Sequence, residues 1–379
     1  MRIAIDLRRI LNPGVGRYMK CLVETILKEA PQHDYLLILP PGAEGMVSGG
    51  DGNVQRLVSD LKYYSIREQI RLPFLLRRYQ ADILHAPHIM VPLLCPCPVA
   101  VTLHDVIPLT CDLPDPPSRL GRLYFRIMVY AAARLSDSII TDSQYSKDDI
   151  VRCLGTHPNK VEVICPGIDP GFRPVRDIST LEQVRRKYRI AGEYILYTGI
   201  YKPRKNHHGL LEAMRQLLGL GVDARLVIAG PMKEGESQLR RAATEMGIAG
   251  KVILTGFVDD ADLAALYSAA RVYACPSLYE GFGFTILEAM ACGTPVVSSR
   301  ETSLAEVGRD GVLFADPRRP VEFAAALARV FTDDTLRQQL VQAGFVNVQR
   351  FSWKAAAQAT LAVYEHTLGT AARTASVSA

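Results

Sequence analysis

Two glutamates separated by a glycine turn are the residues of this sequence with the clearest chemical potential. Glu280 and Glu288 stand in the block PSLYEGFGFTILEAMACGTPVV, residues 276–297. The glycines of the turn let the backbone approach a ligand closely, and the pattern predicts a helix over 285–292 that ends at Gly293. Because the first N–H groups of a helix bind anions, the block suits a diphosphate.

The order of the two carboxylates matches the order of the parts of a nucleotide-sugar. Glu288, inside the predicted helix, can accept two hydrogen bonds from a ribose diol. Glu280 precedes the turn and would face a sugar beyond the phosphates. The alternative interpretation is a pair of surface glutamates that flank a structural turn.

A basic loop follows another predicted strand. Lys202, Arg204 and Lys205 lie in YTGIYKPRKNH, residues 197–207, at the end of the strand predicted over 194–199. Ligands of open parallel sheets bind beyond the carboxyl ends of the strands, so these side chains are expected where phosphates arrive. A solvated basic loop is the alternative.

A second glycine turn lies near the start of the sequence. Gly14 and Gly16, in NPGVGRY (12–18), follow the first predicted strand and open a helix. A dinucleotide-binding fingerprint needs a third glycine at the position of Met19, so the turn does not fit a nicotinamide site.

Three histidines and a helix cap complete the candidate residues of the first half. His104 ends the strand pattern VAVTLHD, which points it toward the ligand-binding edge of the sheet, although a single histidine is more often structural. His85 and His88 follow the preceding strand and are assigned no role. Asp142 and Ser143 are interpreted first as helix caps, with acceptor contact by Ser143 as the lesser alternative.

The elements that must position these residues alternate between strands and helices. Apolar runs predict strands over 2–7, 35–40, 82–86, 99–105, 138–143, 161–165, 194–199, 224–230, 251–256, 271–276 and 294–299. Such alternation is typical of parallel sheets covered by helices on both faces. Two series joined by a linker at 166–177, rich in proline and glycine, predict two Rossmann-like domains.

We expect domains over 1–170 and 171–350. The final segment, 351–379, is predicted to hold a helix that begins near Trp353 and packs back on the first domain, followed by a disordered tail from Gly369 onward.

The glutamate block resembles the E-x7-E motif of family 4 of the retaining glycosyltransferases. The resemblance extends over nearly the whole chain and implies an α/β protein with the GT-B fold. That fold consists of two facing Rossmann-like domains with parallel sheets and a C-terminal crossover helix. Bacterial polysaccharide and O-antigen mannosyltransferases are the members that the chain resembles.

The resemblance implies a role for each residue of the block. Glu280 would contact the donor sugar near its reacting carbon, and Glu288 would hold the ribose. The backbone that would meet the diphosphate belongs to Phe282, Gly283, Phe284 and Thr285. Many relatives have Leu-Pro in place of Phe284-Thr285, and the threonine retains an N–H group that proline lacks.

The resemblance also explains the basic loop. Arg204 and Lys205 match the family's basic pair, which clamps the diphosphate and helps the leaving group accept negative charge. Some relatives place an arginine where this chain has Ile200, so that part of the clamp is either missing or supplied by Lys202.

Two features of the first domain match the family as well. Gly14 and Gly16 correspond to its acceptor-side glycine loop, in which small residues leave room for the transferred sugar. His104 corresponds to a histidine that contacts the donor sugar.

The turn at 255–263, TGFVDDADL, lies where the family binds its nucleobase. Val258 lies in this turn. The carboxylate of Asp260 or Asp259 could select guanine, because one carboxylate can accept hydrogen bonds from both the N1–H and the exocyclic amine of that base. Capping of the next helix explains the same aspartates equally well. We favour GDP-mannose as the donor, with UDP-glucose or a UDP-N-acetylhexosamine left open.

The implied reaction transfers a hexose, with retention, to a glycan or lipid-linked acceptor in polysaccharide biosynthesis. The family's front-face route, in which the leaving phosphate helps deprotonate the acceptor, requires neither a covalent nucleophile nor a metal cofactor. A nucleotide-sugar epimerase would lack the acceptor loop, a dehydrogenase would need the third glycine, and a non-catalytic binding protein would not need Glu280.

Composition limits the remaining classes of function. The 379 residues are 48% hydrophobic with a net charge of +5, which is ordinary for a globular protein and does not by itself argue for nucleic-acid binding. No transmembrane stretch or signal peptide is evident, so a cytoplasmic protein is expected. Cys95 and Cys97 form the one close cysteine pair and lack the further ligands of a zinc site.

Two basic segments suggest contact with a membrane surface. Residues 62–79 mix aromatic and aliphatic side chains with arginines, and a second run holds Arg119, Arg122, Arg126 and Arg134. Basic amphipathic segments lie on anionic lipid, but a packed helix with a solvated basic side fits equally well. Pro73 is expected to break the first of these helices.

Overall fold

The computed structural model describes residues 1–12, 14–50, 52–61, 65–110, 119–232 and 235–377. Of 119 and 372–377 it describes the backbone and not the side chains. The chain divides into two compact units, one of 1–167 with 351–379 and one of 168–350. The first crossing between the units therefore falls inside the predicted linker.

The first unit contains a seven-stranded parallel sheet of order β3-β2-β1-β4-β5-β6-β7. Its strands are β1 Arg2–Asp6, β2 Asp34–Leu39, β3 Val54–Val58, β4 Ile83–Ala86, β5 Val99–Thr102, β6 Ser138–Thr141 and β7 Val161–Val163. Its helices are α1 Val15–Glu29, α2 Ile66–Arg78, α3 Ile107–Thr110, α4 Arg119–Leu135 and α5 Gln144–Leu154.

The second unit contains a six-stranded parallel sheet of order β10-β9-β8-β11-β12-β13. Its strands are β8 Tyr194–Thr198, β9 Arg225–Ala229, β10 Val252–Gly256, β11 Val272–Cys275, β12 Val296–Ser298 and β13 Val312–Phe314. Its helices are α6 Ile178–Lys187, α7 His207–Gly219, α8 Gly235–Glu245, α9 Asp260–Ala269, α10 Phe284–Ala291, α11 Leu304–Gly308, α12 Pro320–Thr332 and α13 Asp334–Val348.

The chain returns to the first unit with α14, Trp353–Val377. The indole of Trp353 meets the Tyr18 ring of α1 at 5.8 Å between centroids. Farther along, the Thr367 hydroxyl lies 2.7 Å from that of Ser138 in β6. The C-terminal helix thereby becomes part of the first unit's layered structure.

The predicted alternation of strands and helices is confirmed, and it has a clear packing cause. The central strands are buried on both faces, which is why they read as continuous apolar runs. The sequence pattern missed β3, because it is an edge strand with exposed polar positions, and it also missed the short strand β13.

Several local predictions need correction. β5 ends at Thr102, so His104 lies in the loop beyond the strand and not on it. α2 continues through Pro73, because Leu72 and Leu76 bury one side of the helix in the core and outweigh the hydrogen bond that proline cannot make. α14 extends to Val377 where a disordered tail was expected, in a stretch rich in alanine, a strong helix former.

Candidate active site

The carboxyl edge of the second sheet brings the predicted residues together where the strand order reverses. β8 and β11 are neighbours at this reversal, and each is followed by a loop with candidate residues. The loop after β8 ends in a 3₁₀ turn, Pro203–Lys205. The N–H of Leu278 in the second loop donates to the Arg204 carbonyl at 2.7 Å, so backbone contacts join the two loops.

Glu280 is held between the two cations of the basic loop. Nη1 of Arg204 lies 2.9 Å from Oε2 of Glu280, and Nζ of Lys205 lies 2.5 Å from Oε1. The Glu280 side chain is only 9% exposed. Burial alone would raise the pKa of Glu280, but the charges of Lys205 and Arg204 outweigh it and lower the pKa to about 2. Glu280 is therefore an anion at neutral pH and cannot serve as a general acid there.

Backbone anchors fix the loop that carries Glu280. Its N–H donates to Oγ1 of Thr302 at 3.0 Å, and the Ser303 hydroxyl donates to the carbonyls of Glu280 and Phe282 at 2.8 and 2.9 Å. Arg204 also donates to the Tyr279 carbonyl at 3.0 Å. Sequence reasoning missed Thr302 and Ser303, since hydroxyl residues after β12 carry no distinguishing local signal.

The glycine turn delivers an uncapped helix N-terminus beside this cluster. Gly283 is the N-cap of α10, with φ +116° and no side-chain cap hydrogen bond. The positive φ favours glycine, and a Cβ at this position would lie 2.8 Å from Cδ2 of Leu304, so that the leucine side chain would have to shift. Phe282 is buried and packs edge-to-face on Phe284 at 5.0 Å. The first N–H groups of α10, near Thr285, thus have no capping side chain and suit an anion.

Glu288 lies on α10 with its carboxylate oriented by a buried tyrosine. The Tyr267 hydroxyl donates to Oε2 of Glu288 at 2.9 Å and lies 2.7 Å from Oγ1 of Thr198 at the end of β8. Burial and the Glu288 charge raise the pKa of Tyr267 well above its usual range, so the phenol stays a proton donor. Neither Tyr267 nor Thr198 was identified from the sequence.

The remaining predicted donor residues of this unit lie at the same sheet edge. Lys202 immediately precedes the 3₁₀ turn. Val258 is buried between β10 and α9, whereas Asp260 is the exposed first residue of α9. Asp259 occupies the N-cap position without a side-chain cap hydrogen bond, so capping does not account for this aspartate. Sequence reasoning missed Gly230. A Cβ on this residue would lie 2.3 Å from the carbonyl oxygen of Gly199, so there is no room for a side chain.

In the first unit, the two glycines of the N-terminal turn have different structural causes. Gly14 is the N-cap of α1 with φ +80°, and a Cβ there would meet no atom within 4 Å. A Cβ on Gly16 would lie 1.9 Å from the Ile10 carbonyl oxygen, so close backbone packing requires this glycine.

His104 forms an ion pair that the sequence did not suggest. Its Nδ1 lies 2.7 Å from Oδ2 of the buried Asp142, and its ring packs edge-to-face with that of Tyr18, with the two centroids 4.7 Å apart. Burial lowers the pKa of His104, but Asp142, together with Asp105 and the Pro87 carbonyl, raises it above the usual value. Asp142 therefore orients the imidazole and favours its protonated form.

The predicted capping role of Ser143 is confirmed. Its hydroxyl accepts the Ser146 N–H at 3.0 Å at the start of α5. Because Asp142 is engaged with His104, it is Ser143 that caps the helix.

His85 and His88 are held by protein groups. His85 contacts the Thr102 and Tyr364 hydroxyls at 2.9 and 2.6 Å, and burial lowers its pKa to about 3, so it is a neutral link between the sheet and α14. His88 contacts Arg9. These contacts give neither histidine a role in the site.

Comparison with known proteins matches both units of the chain to glycosyltransferases. The family model described as glycosyl transferases group 1 matches residues 182–346, and that described as glycosyltransferase family 4 matches residues 14–172. An O-antigen chain mannosyltransferase B of Escherichia coli is 32% identical over 370 residues, which cover 93% of this chain and 96% of that protein.

Two further proteins show similarity. A D-inositol 3-phosphate glycosyltransferase of Acidothermus cellulolyticus is 32% identical over 268 residues, 68% of this chain and 58% of that protein. The crystal structure of HepE from Anabaena, in complex with UDP and glucose, superposes with a TM-score of 0.75 at 20% identity, covering 96% of this chain and 99% of that one. This chain belongs to glycosyltransferase family 4 and has the GT-B fold.

Proposed function

We propose that the protein transfers mannose from GDP-mannose to a lipid-linked or glycan acceptor in polysaccharide biosynthesis, with retention at the anomeric carbon. The observation that carries the proposal is the cluster of Arg204, Lys205 and Glu280 beside the uncapped N-terminus of α10. It combines two fixed cations, a carboxylate that is charged at neutral pH and a helix N-terminus without a side-chain cap, which together suit a sugar diphosphate.

Each part of the donor has a proposed partner. The diphosphate meets the backbone of 282–285 and the side chains of Arg204 and Lys205. The ribose diol binds Glu288, whose carboxylate is already oriented by Tyr267. Glu280 faces the sugar, where its negative charge stabilises positive charge that develops at the anomeric carbon.

The proposed reaction follows the front-face route. The bond from the anomeric carbon to the phosphate oxygen breaks, and the acceptor hydroxyl oxygen bonds to the same face of that carbon. The acceptor proton passes to the leaving diphosphate, so that no protein base is needed. We propose that no metal takes part, because Arg204, Lys205 and the α10 N-terminus supply the positive charge.

The first unit supplies the acceptor side in this proposal. His104, oriented by Asp142, contacts the transferred sugar. Gly14 lies in open space at the start of α1, which leaves room for an acceptor, whereas Gly16 is there for packing. The name of the Escherichia coli relative supports both mannose and a growing polysaccharide, and such an acceptor locates the enzyme at the cytoplasmic face of the cell membrane.

A thermal-shift series tests the donor proposal. GDP, UDP, ADP and GDP-mannose are titrated against the native protein and the Glu288→Ala and Arg204→Ala variants, with and without EDTA. A ligand that binds the native state raises Tm, so we expect a GDP-selective shift that persists in EDTA and disappears in both variants. Arg240→Ala, which changes an exposed ion pair on α8, is the matched control and keeps the full shift.

The other outcomes are informative. A UDP-selective shift would support UDP-glucose or a UDP-N-acetylhexosamine as the donor and refute selection of guanine by Asp260 or Asp259. No shift with any nucleotide, from folded protein, would refute the donor site. Incubation with radiolabelled GDP-mannose and membrane lipid extract then tests transfer. Because the donor sugar is α-linked, formation of a β-linked product would refute retention.

A further inference from the structure

α2 presents an outward side that mixes apolar and basic residues. Ile66, Ile70 and Phe74, spaced one helical turn apart, are 81%, 68% and 66% exposed. Arg67 and Arg71 are exposed directly beside this stripe. The opposite side of the helix is buried in the core, so the exposed apolar stripe is not part of the packing of this unit.

α4 repeats the same composition. Leu120, Leu123 and Ile127 are 80%, 56% and 56% exposed. The same helix carries Arg122 and Arg126, and Arg126 extends over the Tyr130 ring at 6.0 Å. Its other side is buried in the core.

The two helices share one side of the unit. Leu72 and Leu76 of α2 belong to the same core cluster as Met128 and Val129 of α4, so both helices cover the same face of the sheet. The loop after β4 adds two exposed leucines at 93 and 94, and the N–H of the first donates to Oε1 of Gln69 on α2 at 2.8 Å.

We call this surface the arginine-apolar face. It consists of the outward residues Ile66, Arg67, Ile70, Arg71, Phe74, Arg77, Arg78, Leu93, Leu94, Leu120, Arg122, Leu123, Arg126 and Ile127. Residues 62–64, which belong to the same basic segment of the sequence, lie outside the described part of the chain.

The face has almost no negative charge of its own. The sequence of α4 contains no acidic residue, and that of α2 contains only Glu68. The Glu68 side chain is 2% exposed and paired with the buried Arg8 at 2.6 Å. The exposed arginines of the two helices therefore have no acidic partner within those helices.

We infer that the arginine-apolar face lies on an anionic lipid surface. Aliphatic and aromatic side chains between arginines match the boundary between acyl chains and negatively charged headgroups. A second copy of the chain fits less well, because a symmetric contact would place arginines of both copies against one another. The inference deepens the proposed membrane location, on which it rests, by naming the surface and the lipid charge.

Flotation with vesicles tests the inference. The full chain is mixed with phosphatidylcholine vesicles that contain either no phosphatidylglycerol or about a third of it, at physiological and at high salt. We expect flotation with the anionic vesicles alone, and weaker flotation at high salt because counterions screen the arginines.

Matched variants distinguish the contribution of this face to vesicle binding from the effect of the protein's overall charge and hydrophobicity. Arg67→Gln/Arg71→Gln is expected to lower the coefficient for partition into anionic vesicles about 25-fold, because each arginine near the surface contributes about 5-fold. Arg240→Gln/Arg241→Gln on α8 removes the same charge elsewhere and leaves partition unchanged. Ile70→Ser/Phe74→Ser lowers partition about 10-fold or more.

Equally exposed apolar residues of the second unit provide the control for the serine pair. Ile178→Ser/Val346→Ser, at positions 70% and 69% exposed, leaves partition unchanged. The thermal shift with GDP is measured on every variant. A face variant that no longer floats but keeps the full thermal shift with GDP would show that the lipid surface is separate from the donor site.

Several outcomes would overturn the inference. They are the absence of flotation with anionic vesicles, equal flotation with neutral ones, or an equal loss in the face and control variants. A dimer in light scattering that Ile70→Ser/Phe74→Ser dissociates would identify a second copy as the occupant instead. A protein that floats as expected but binds no nucleotide would refute the proposed donor and leave this face in place.

Discussion

Replacement of Glu280 by glutamine tests the electrostatics of the candidate site most directly. The change preserves shape and removes the charge that Arg204 and Lys205 share. The pKa of Glu280 falls from 4.5 to about 2. At 1.36 kcal/mol per pKa unit, the charged form therefore contributes about 3 kcal/mol to the free energy of unfolding at pH 7.

The pH dependence of this contribution has a definite sign. Because the folded-state pKa is depressed, the stabilisation is fully present above the unfolded-state pKa of 4.5 and is lost as the pH falls toward 2. From these two values, about 1 kcal/mol is lost by pH 4 and about 2 kcal/mol by pH 3. The difference in stability between native protein and Glu280→Gln therefore shrinks as the pH falls.

Urea denaturation of both proteins at several pH values between 3 and 7 measures this difference. Glu301→Gln is the matched control, since Glu301 pairs with Arg318 at the surface, where the side chains are 34% and 56% exposed. It is expected to cost at most about 1 kcal/mol. A Glu280→Gln cost no larger than that of the control, or one that does not vary with pH, would refute the assignment of a buried, doubly paired carboxylate.

Three further predictions concern the neighbours of the site. Tyr267→Phe removes the hydrogen bond to the buried Glu288 carboxylate and should lower the free energy of unfolding, measured by urea denaturation, by about 1–3 kcal/mol. GDP binding, measured by calorimetry, should also become weaker. Gly283→Ala should lower it by about 1–3 kcal/mol because of its positive φ and the nearby Leu304 side chain. In a ¹³C–¹H NMR titration the pKa of His104 should lie above its usual value of 6.5, and Asp142→Asn should lower it, because the carboxylate that most favours the charged imidazole is then absent.

Each of these predictions has a control in the same chain. Tyr194→Phe removes a hydroxyl bonded to the Leu266 carbonyl at 2.7 Å and should leave GDP binding unchanged. Gly219→Ala, at the end of α7 with no atom near the added Cβ, should be neutral or stabilising. His85 should remain neutral down to about pH 3 with or without Asp142. Weakened GDP binding in Tyr194→Phe, equal costs at both glycines, or a His104 pKa unaffected by Asp142→Asn would contradict the corresponding explanation.

The sequence by itself determined the features that depend on residues close together in the chain. Apolar periodicity predicts eleven of the strands, since a buried parallel strand is a short continuous apolar run. The turn between Glu280 and Glu288 and the helix after it are also local, because glycine conformations and helix ends follow from a few successive residues. Strands β3 and β13 and the passage of α2 through Pro73 were not predicted. At Pro73 the burial of Leu72 and Leu76 outweighs local propensity.

Only the tertiary structure decided which groups meet. Glu280 pairs with cations 75 and 76 residues away, and Tyr267 reaches Glu288 across 21 residues. Asp142, whose local context indicates a helix cap, pairs with His104, 38 residues away. The physical reason is that a parallel sheet collects the loops after its strands at one edge, in an order set by strand pairing. Burial at that edge then determines charge and protonation, which no local pattern of residues encodes.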